Sequence, residues 1–436
     1  MSGEAGRAAH RNERSGSNCP LMKRVVAREN AEVALKRVRR NKGSPGIDGM
    51  TVDELTPHLR KHWHMIRQQL LAGTYQPSAV KRTLIEKRGG GMRQLGIPTV
   101  LDRFVQQLFL QVLQPIFDPT FSEHSHGCRP GRRAHNAVRE AQRYIQEGKR
   151  WVVDVDLEKF FDRVNHDVLM GKLHNRIADQ RMLRIIRRFL EAGIMADGVV
   201  VERYEGTPQG GPLSPLLANV LLDQVDKELE RRGHTFVRYV DDCNVYVRSK
   251  RAGERVMMVL RQQYARLRLR INEEKSAVAR VWGRKFVSYS FWVAPGGVVK
   301  RRVATKALEE MKQRIRSITR RVRGRSMQQV YKELAEYLRG WQEYFQLADT
   351  PGVFRDLDGW IHRRLRAVQL KQWKRRRATL RALRALGLPE WLALKGAAHG
   401  GRWWWASNLG ALKTALPGSY FERLGVPRLV AHTSTH

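Results

Sequence analysis

The residues best suited to chemistry are acidic and lie in two β-prone segments. In Phe236-Val237-Arg238-Tyr239-Val240-Asp241-Asp242-Cys243-Asn244-Val245-Tyr246-Val247, two strand-like runs flank an Asp pair, so adjacent carboxylates are displayed at a hairpin tip. Carboxylates that close repel one another, and a divalent cation relieves the repulsion; Mg²⁺ takes oxygen ligands from one or two carboxylates plus substrate phosphates. Taken alone the turn is a weak signal, because an Asp pair at a hairpin is more often plain turn chemistry. The second segment is Trp151-Val152-Val153-Asp154-Val155-Asp156-Leu157-Glu158-Lys159-Phe160-Phe161-Asp162. At a period of two, Val153, Val155 and Leu157 face one side while Asp154 and Asp156 face the other. A surface strand with solvated aspartates is the bland reading, and it leaves Phe160-Phe161 unexplained. Two strands that each offer carboxylates are what two-metal phosphoryl transfer needs, one ion for the attacking oxygen and one for the leaving group. Between them in sequence lies Gly206-Thr207-Pro208-Gln209-Gly210-Gly211-Pro212-Leu213-Ser214-Pro215, a Gly/Pro loop that lets backbone approach a ligand closely or simply joins a strand to the apolar helix of residues 216–229.

The elements that must position these groups follow from patterning. Residues 151–292 alternate β-rich and helical segments, which predicts an α/β or α+β domain. Upstream, residues 29–41 read as a helix with Val33, Leu35 and Val38 as packing residues, ended by Gly43-Ser44-Pro45-Gly46-Ile47-Asp48-Gly49. Residues 83–97 read as a basic, strand-like stretch interrupted by Gly89-Gly90-Gly91, a hairpin or loop carrying Lys87, Arg88 and Arg93. Downstream the chain is helical. Ser326-Met327-Gln328-Gln329 has the form of a capping box, followed by Val330, Leu334, Leu338, Trp341 and Phe345 at helical spacing. A second helix carries Phe354, Leu357, Ile361, Leu365 and Val368 and ends in a cationic run over residues 371–377. The Trp403-Trp404-Trp405 run is expected to anchor the core of a small last module.

Length and 42% hydrophobic content suggest two to three folding units. The 81 Lys and Arg against 42 Asp and Glu leave a formal charge of +39, which points to a polyanionic partner, whether for catalysis or for phosphate neutralisation alone. Cys19, Cys128 and Cys243 have no metal or disulfide spacing, so a reducing compartment is expected. No apolar run approaches membrane-spanning length and no signal-peptide core opens the chain. Glu4 and Glu13 count against a transit peptide, and a flexible leader in a bacterial cytoplasm is expected.

The order Asp-rich strand, Pro-Gln-Gly loop, Tyr-Val-Asp-Asp hairpin resembles the palm of a reverse transcriptase. Leu95-Gly96-Ile97-Pro98-Thr99-Val100-Leu101-Asp102-Arg103, then Phe117-Asp118-Pro119-Thr120-Phe121-Ser122-Glu123-His124-Ser125-His126-Gly127-Cys128-Arg129-Pro130-Gly131-Arg132, and Tyr337-Leu338-Arg339-Gly340-Trp341 resemble the group II intron-encoded reverse transcriptase/maturases. The likeness covers residues 25–377 and extends to the tail. No nuclease pattern follows it, as in the short, endonuclease-lacking bacterial lineage. The resemblance implies an α+β right-hand polymerase: a leader over 1–24, an N-terminal extension over 25–75, fingers and an antiparallel-sheet palm over 76–295, a helical thumb/maturase domain over 296–378 and a basic DNA-binding module over 379–436.

It also implies roles. Asp156, Asp241 and Asp242 match the catalytic aspartates, and with the Leu157 carbonyl they would hold two Mg²⁺ ions. Phe161 matches the aromatic that blocks a 2′-hydroxyl, Gln209 the glutamine beside the nucleotide sugar, and Lys87, Arg93 and Lys275 the cations around the dNTP triphosphate; Lys87 and Lys275 serve equally as solvated or RNA-phosphate contacts. Arg129, Arg132, Lys371, Lys374, Arg375 and Arg376 are expected on nucleic acid. The implied partners are an intron RNA template, a DNA primer or target and dNTPs, with no membrane, for a monomer or homodimer in the cytoplasm that meets the nucleoid when it acts on DNA. The implied function is RNA-directed DNA synthesis with intron splicing and mobility by target-primed reverse transcription. The rivals are a non-catalytic RNA-binding splicing maturase and a domesticated reverse transcriptase in host repair or phage defence. Two departures stand out: Val240 where the family commonly has Ala, and Phe286-Val287-Ser288 where it has Phe-Leu-Gly, so Ser must take a backbone shape normally given by Gly.

Overall fold

The computed structural model describes residues 21–86, 92–196, 199–201, 204–207, 210–320, 324–398 and 401–430, excluding the side chains of Glu86, Arg93, Ala196 and Val199. Most of the expected leader therefore lies outside the described residues, but its last part does not. Leu21–Val25 is a helix that buries Met22 and Val25, so the chain is already packed where the sequence reading had it flexible.

Contacts divide the chain into two compact units, residues 1–280 and 281–436. The expected palm limit at 295 thus lies inside the second unit, within the sheet described below. The first unit holds two sheets. One is four-stranded and antiparallel, in the order Thr235–Tyr239, Asp242–Val247, Trp151–Val155, Ala277–Arg280. Val153, Val155, Phe236, Val245 and Cys243 bury there, as β-branched and aromatic residues do on a half-covered pleated surface. Helices Ala134–Gln146 and Lys250–Arg266 pack on this sheet, so it is a palm covered by helices.

The second sheet runs Met92–Ile97, Val80–Glu86, Ile194–Ala196, Val199–Val201, with one parallel pairing between Val80–Glu86 and Ile194–Ala196. Of the two forms left open for the strand-like stretch at residues 83–97, the structure has paired strands, an antiparallel ladder from Lys81↔Ile97 to Glu86↔Met92; the Gly89-Gly90-Gly91 break lies outside the described residues. Helix Val100–Phe117 runs through the core with both faces covered, capped by Thr99, whose hydroxyl accepts from the Asp102 amide at 3.0 Å. The expected helix at residues 29–41 is Arg28–Asn41. It buries Ala34 and Val38, an i, i+4 pair, whereas Val33, one step around the helix from Ala34, is 42% exposed and not a packing residue.

The second unit combines a small sheet, Lys285–Phe286, Tyr289–Val293 and Val299–Val303, with helices. Ser326 caps Met327–Phe345 as a complete capping box with Gln329, and Val330, Leu334, Leu338, Trp341 and Phe345 are all buried on one stripe. Pro351–Trp373 buries Leu357, Ile361, Leu365 and Val368, while Phe354 meets the edge of Trp341 at 5.7 Å. The architecture is an α+β right-hand polymerase fold followed by helices.

Candidate active site

Register brings the carboxylates together. Val155 pairs with Cys243 across adjacent strands, so the next residues along each strand are Asp156 and Asp242. Tyr239 pairs with Asp242, which leaves Val240 and Asp241 as a two-residue turn at the same edge of the sheet. Asp156 and Asp241 line one cavity of about 670 Å³, together with Leu157, Phe160, Phe161, Asn272 and Lys275.

The Asp156 backbone is held on both sides. Its amide donates to Ser276 Oγ at 3.0 Å, and its carbonyl accepts from the Asn272 amide at 2.8 Å. Lys275, on the same turn, brings Nζ to 3.5 Å from Asp156 Oδ2. Leu157 bridges Ile271, its side chain buried. Phe161 is half-buried, set edge-on to Phe160 at 5.1 Å. It also lines a second cavity, of about 680 Å³, with Asn41, Gly43, Arg103 and Gly210-Gly211-Pro212. Asn41 and Gly43 of the N-terminal module thus share a cavity with Phe161, which no local pattern announces. Lys87 and Gln209 lie outside the described residues; so does the Arg93 side chain, although its backbone pairs with Ile85.

The turn is fastened from beneath by residues that sequence reasoning passed over. Arg238 is fully buried and pairs with buried Asp226, Nη2 to Oδ2 at 2.6 Å and Nε to Oδ1 at 2.8 Å. It also donates to Asn219 Oδ1 at 2.9 Å, Ser125 Oγ at 2.8 Å and the Val240 carbonyl at 2.7 Å. The segment around Ser125 lies beside Arg238 as an isolated parallel bridge, the His126 amide donating to the Arg238 carbonyl at 2.9 Å. Gly127 then passes directly under the turn: a Cβ there would sit 2.3 Å from the Val240 nitrogen, so only glycine fits. The available signal was a lone Arg inside an otherwise apolar strand.

Glu140 ties this segment to helix Ala134–Gln146. It accepts from His124 Nδ1 and His126 Nε2 at 2.5 Å each and from the Tyr144 hydroxyl at 2.5 Å. Burial pushes the Glu140 carboxyl up, but those hydrogen bonds outweigh it and hold its pKa at about 2. The hydrogen bond to Glu140 raises His124 above its usual value.

The structure corrects the reading of Arg129. Its guanidinium is buried and committed to Asp118 Oδ1 at 2.9 Å, the Asp118 carbonyl at 2.9 Å and the Ser125 carbonyl at 3.0 Å, so it staples the loop instead of meeting phosphate. Arg132 is partly covered and pairs with Glu123. Lys374, Arg375 and Arg376 are exposed where helix Pro351–Trp373 breaks into Arg376–Ala385, and Lys371 lies with Nζ 4.4 Å from the Trp403 ring centre. The tryptophan run is a second correction. Of the helix Trp403–Ala406 only Ala406 is buried.

Residues 85–295 match the family model for reverse transcriptase (RNA-dependent DNA polymerase), and residues 308–386 match that for the group II intron maturase-specific domain. The chain belongs to the group II intron reverse transcriptase/maturases. Among relatives of this reverse transcriptase/maturase, Protein YkfC of Escherichia coli is 37% identical over 43% of this chain and 51% of its own. Group II intron-encoded protein LtrA of Lactococcus lactis is 39% identical over 45% of this chain and 32% of its own. The putative COX1/OXI3 intron 1 protein of Saccharomyces cerevisiae is 30% identical over 46% and 24%. The matched segments therefore span about half of the first of these relatives and a third or less of the other two.

Reverse transcriptases use Mg²⁺. The donors here fit a hard cation, since Asp156 and Asp241 present carboxylate oxygens to one cavity. Among the described residues no three His, Cys, Asp or Glu side chains are close enough to hold a metal alone. Mg²⁺ ordinarily completes its shell with water and substrate phosphates, so this donor set suits an ion that arrives with nucleotide. No helix of the described residues is long and apolar enough to cross a membrane.

Proposed function

We propose that this reverse transcriptase/maturase is an active RNA-directed DNA polymerase that copies an RNA template from a DNA primer, and that it binds an intron RNA to assist its splicing and its mobility by target-primed reverse transcription. The observation that carries the first part is the register that sets Asp156 alongside the Asp241-Asp242 turn in a cavity with Phe161 and Lys275. In the reaction the primer 3′-hydroxyl releases its proton to solvent, its oxygen forms a bond to the dNTP α-phosphorus, the bond from that phosphorus to the bridging oxygen breaks, and pyrophosphate leaves. Asp156, Asp241, Asp242 and the Leu157 carbonyl would hold two Mg²⁺, which when bound supply charge neutralisation at the attacking and leaving oxygens.

The protein's own groups do the rest. Phe161 closes the sugar side of the cavity and excludes a 2′-hydroxyl. Lys275, already beside Asp156, meets the anionic leaving group. Lys87 and Arg93 grip the triphosphate, and Gln209 contacts the sugar. The helices over 296–378 serve as thumb and maturase domain, with Lys371, Lys374, Arg375 and Arg376 on RNA, and residues 379–436 contact DNA. The setting is a bacterial cytoplasm, at the nucleoid during DNA synthesis.

The test is primer extension on poly(rA)·oligo(dT) with Mg²⁺, wild type against Asp241→Asn. Wild type should incorporate dTTP and the variant should not. Equal incorporation by both, or none by either, ends the polymerase reading. Splicing of the cognate intron RNA by the same variant tests the maturase half separately, because RNA binding does not need that carboxylate.

A further inference from the structure

Tryptophan on a surface calls for a reason, because its ring buries more apolar area than any other side chain. The C-terminal helices expose three: Trp391 at 67%, Trp405 at 53% and Trp404 at 36%. On helix Glu390–Ala397, Trp391, Leu394 and Lys395 share one open face at i, i+3 and i+4. In the 403–405 run each ring has its own cation. Lys371 Nζ lies 4.4 Å from the Trp403 centre, Arg363 Cζ 4.1 Å from Trp404 and Arg402 Cζ 5.3 Å from Trp405.

The module is fastened from its interior. Buried Arg366 donates to the Ser407 carbonyl at 2.8 Å and the Leu416 carbonyl at 3.2 Å, while Ala406 and Ser407 fill the interior. A protein-binding patch is depleted in charge at its centre. Here open rings alternate with cations, the combination that holds a polyanion whose bases stack on the rings and whose phosphates meet the cations. In a duplex each base face is already covered by its neighbours, so only unpaired nucleotides can use such a surface.

We infer that Trp404 and Trp405, with Arg363 and Arg402, form a stacking site for unpaired bases of single-stranded DNA, with Trp391 as a further contact. This rests on the reading of residues 379–436 as a DNA-contacting module.

A site-resolved crosslink tests it. Full-length protein, its polymerase cleft saturated with primer–template duplex, is irradiated with an oligodeoxynucleotide carrying 5-iodouracil, which couples to aromatic rings stacked on it, and the crosslinked peptides are identified by mass spectrometry. Crosslinks should fall in the peptide spanning residues 403–413 and vanish when the oligonucleotide is annealed to its complement. One base–indole stack is worth about 1–3 kcal/mol, so Trp405→Leu should cut the yield about tenfold at subsaturating DNA, and Trp405→Phe should restore much of it. Thermal melting of both variants checks that they fold. No crosslink in this module, an unchanged yield in Trp405→Leu, equal yield from duplex, or stronger crosslinking from RNA of the same sequence overturns the inference. Extension of the loaded primer by wild type is read in parallel. Its failure with the crosslinks intact strikes only the polymerase reading, and lost crosslinks with extension intact strike only this one.

Discussion

Val240 has φ +61° at the first position of the hairpin turn, a conformation that a β-branched side chain avoids at a cost of about 1–3 kcal/mol. Its carbonyl is gripped by Arg238, whose charge is neutralised by Asp226 in the same dry interior. Removing one partner of such a pair strands a buried charge. Arg238→Met should therefore cost about 3–5 kcal/mol in denaturant unfolding, and adding Asp226→Leu should recover most of it. A double variant as unstable as the single one would show that the fold depends on more than charge pairing there. Phe161 carries a separate prediction. Phe161→Ala should raise incorporation of rNTPs relative to dNTPs on one primer–template, and an unchanged ratio would remove it from sugar selection. Asp156 and Asp241 could be singled out by type and spacing, and Phe161 through the family resemblance. Arg238 could not, because its function lies in partners up to 113 positions away in the chain.

Elements show the same division. The strands and the capped helix at Met327–Phe345 follow from period and local chemistry, which need no distant partner. At the pairing Phe286↔Tyr289 the two-residue turn has φ +48° at Val287 and +64° at Ser288, so serine does take the glycine conformation that its position demands. Ser288→Gly should raise stability in urea titrations, because the left-handed strain it relieves, about 1–2 kcal/mol, exceeds the extra freedom glycine gives the unfolded chain; a loss of stability would mean that the hydroxyl has a partner worth more than the strain. The Glu140 cluster ties a helix to the segment under the Asp241-Asp242 turn, and its strength depends on pH. Glu140 is held at about 2 against its usual 4.5, so its contribution is complete above 4.5 and fades as pH falls towards 2. His124 is raised above 6.5, so its contribution is complete below 6.5 and fades as pH rises through the raised value. Tyr144 and Arg143 also face this carboxylate. Protection of the His126 and Arg238 amides against hydrogen exchange, corrected for intrinsic rates, should peak between about pH 4.5 and 6.5. Glu140→Gln should flatten that profile.

For the molecule as a whole, a net charge of +39 makes RNA affinity a function of salt. If roughly 6–10 phosphates are neutralised, binding should weaken about 10³–10⁵-fold between about 50 and 200 mM salt, and a flat response would show that the basic excess does not face RNA. By itself the sequence determined the mixed α/β character and the two Asp-bearing β segments, because strand period, turn composition and helical spacing are local properties of the backbone, while its ordered motifs carried the family resemblance and, through it, the right-hand architecture. Only the tertiary structure decided where individual side chains are spent. Arg129 looked like a phosphate contact and is buried on loop carbonyls, whereas Trp403-Trp404-Trp405 looked like core and lies largely at the surface beside cations. The reason is that a guanidinium binds carbonyls or phosphates with the same geometry, and an indole packs or stacks with the same face. Which one it does depends on what long-range packing sets beside it.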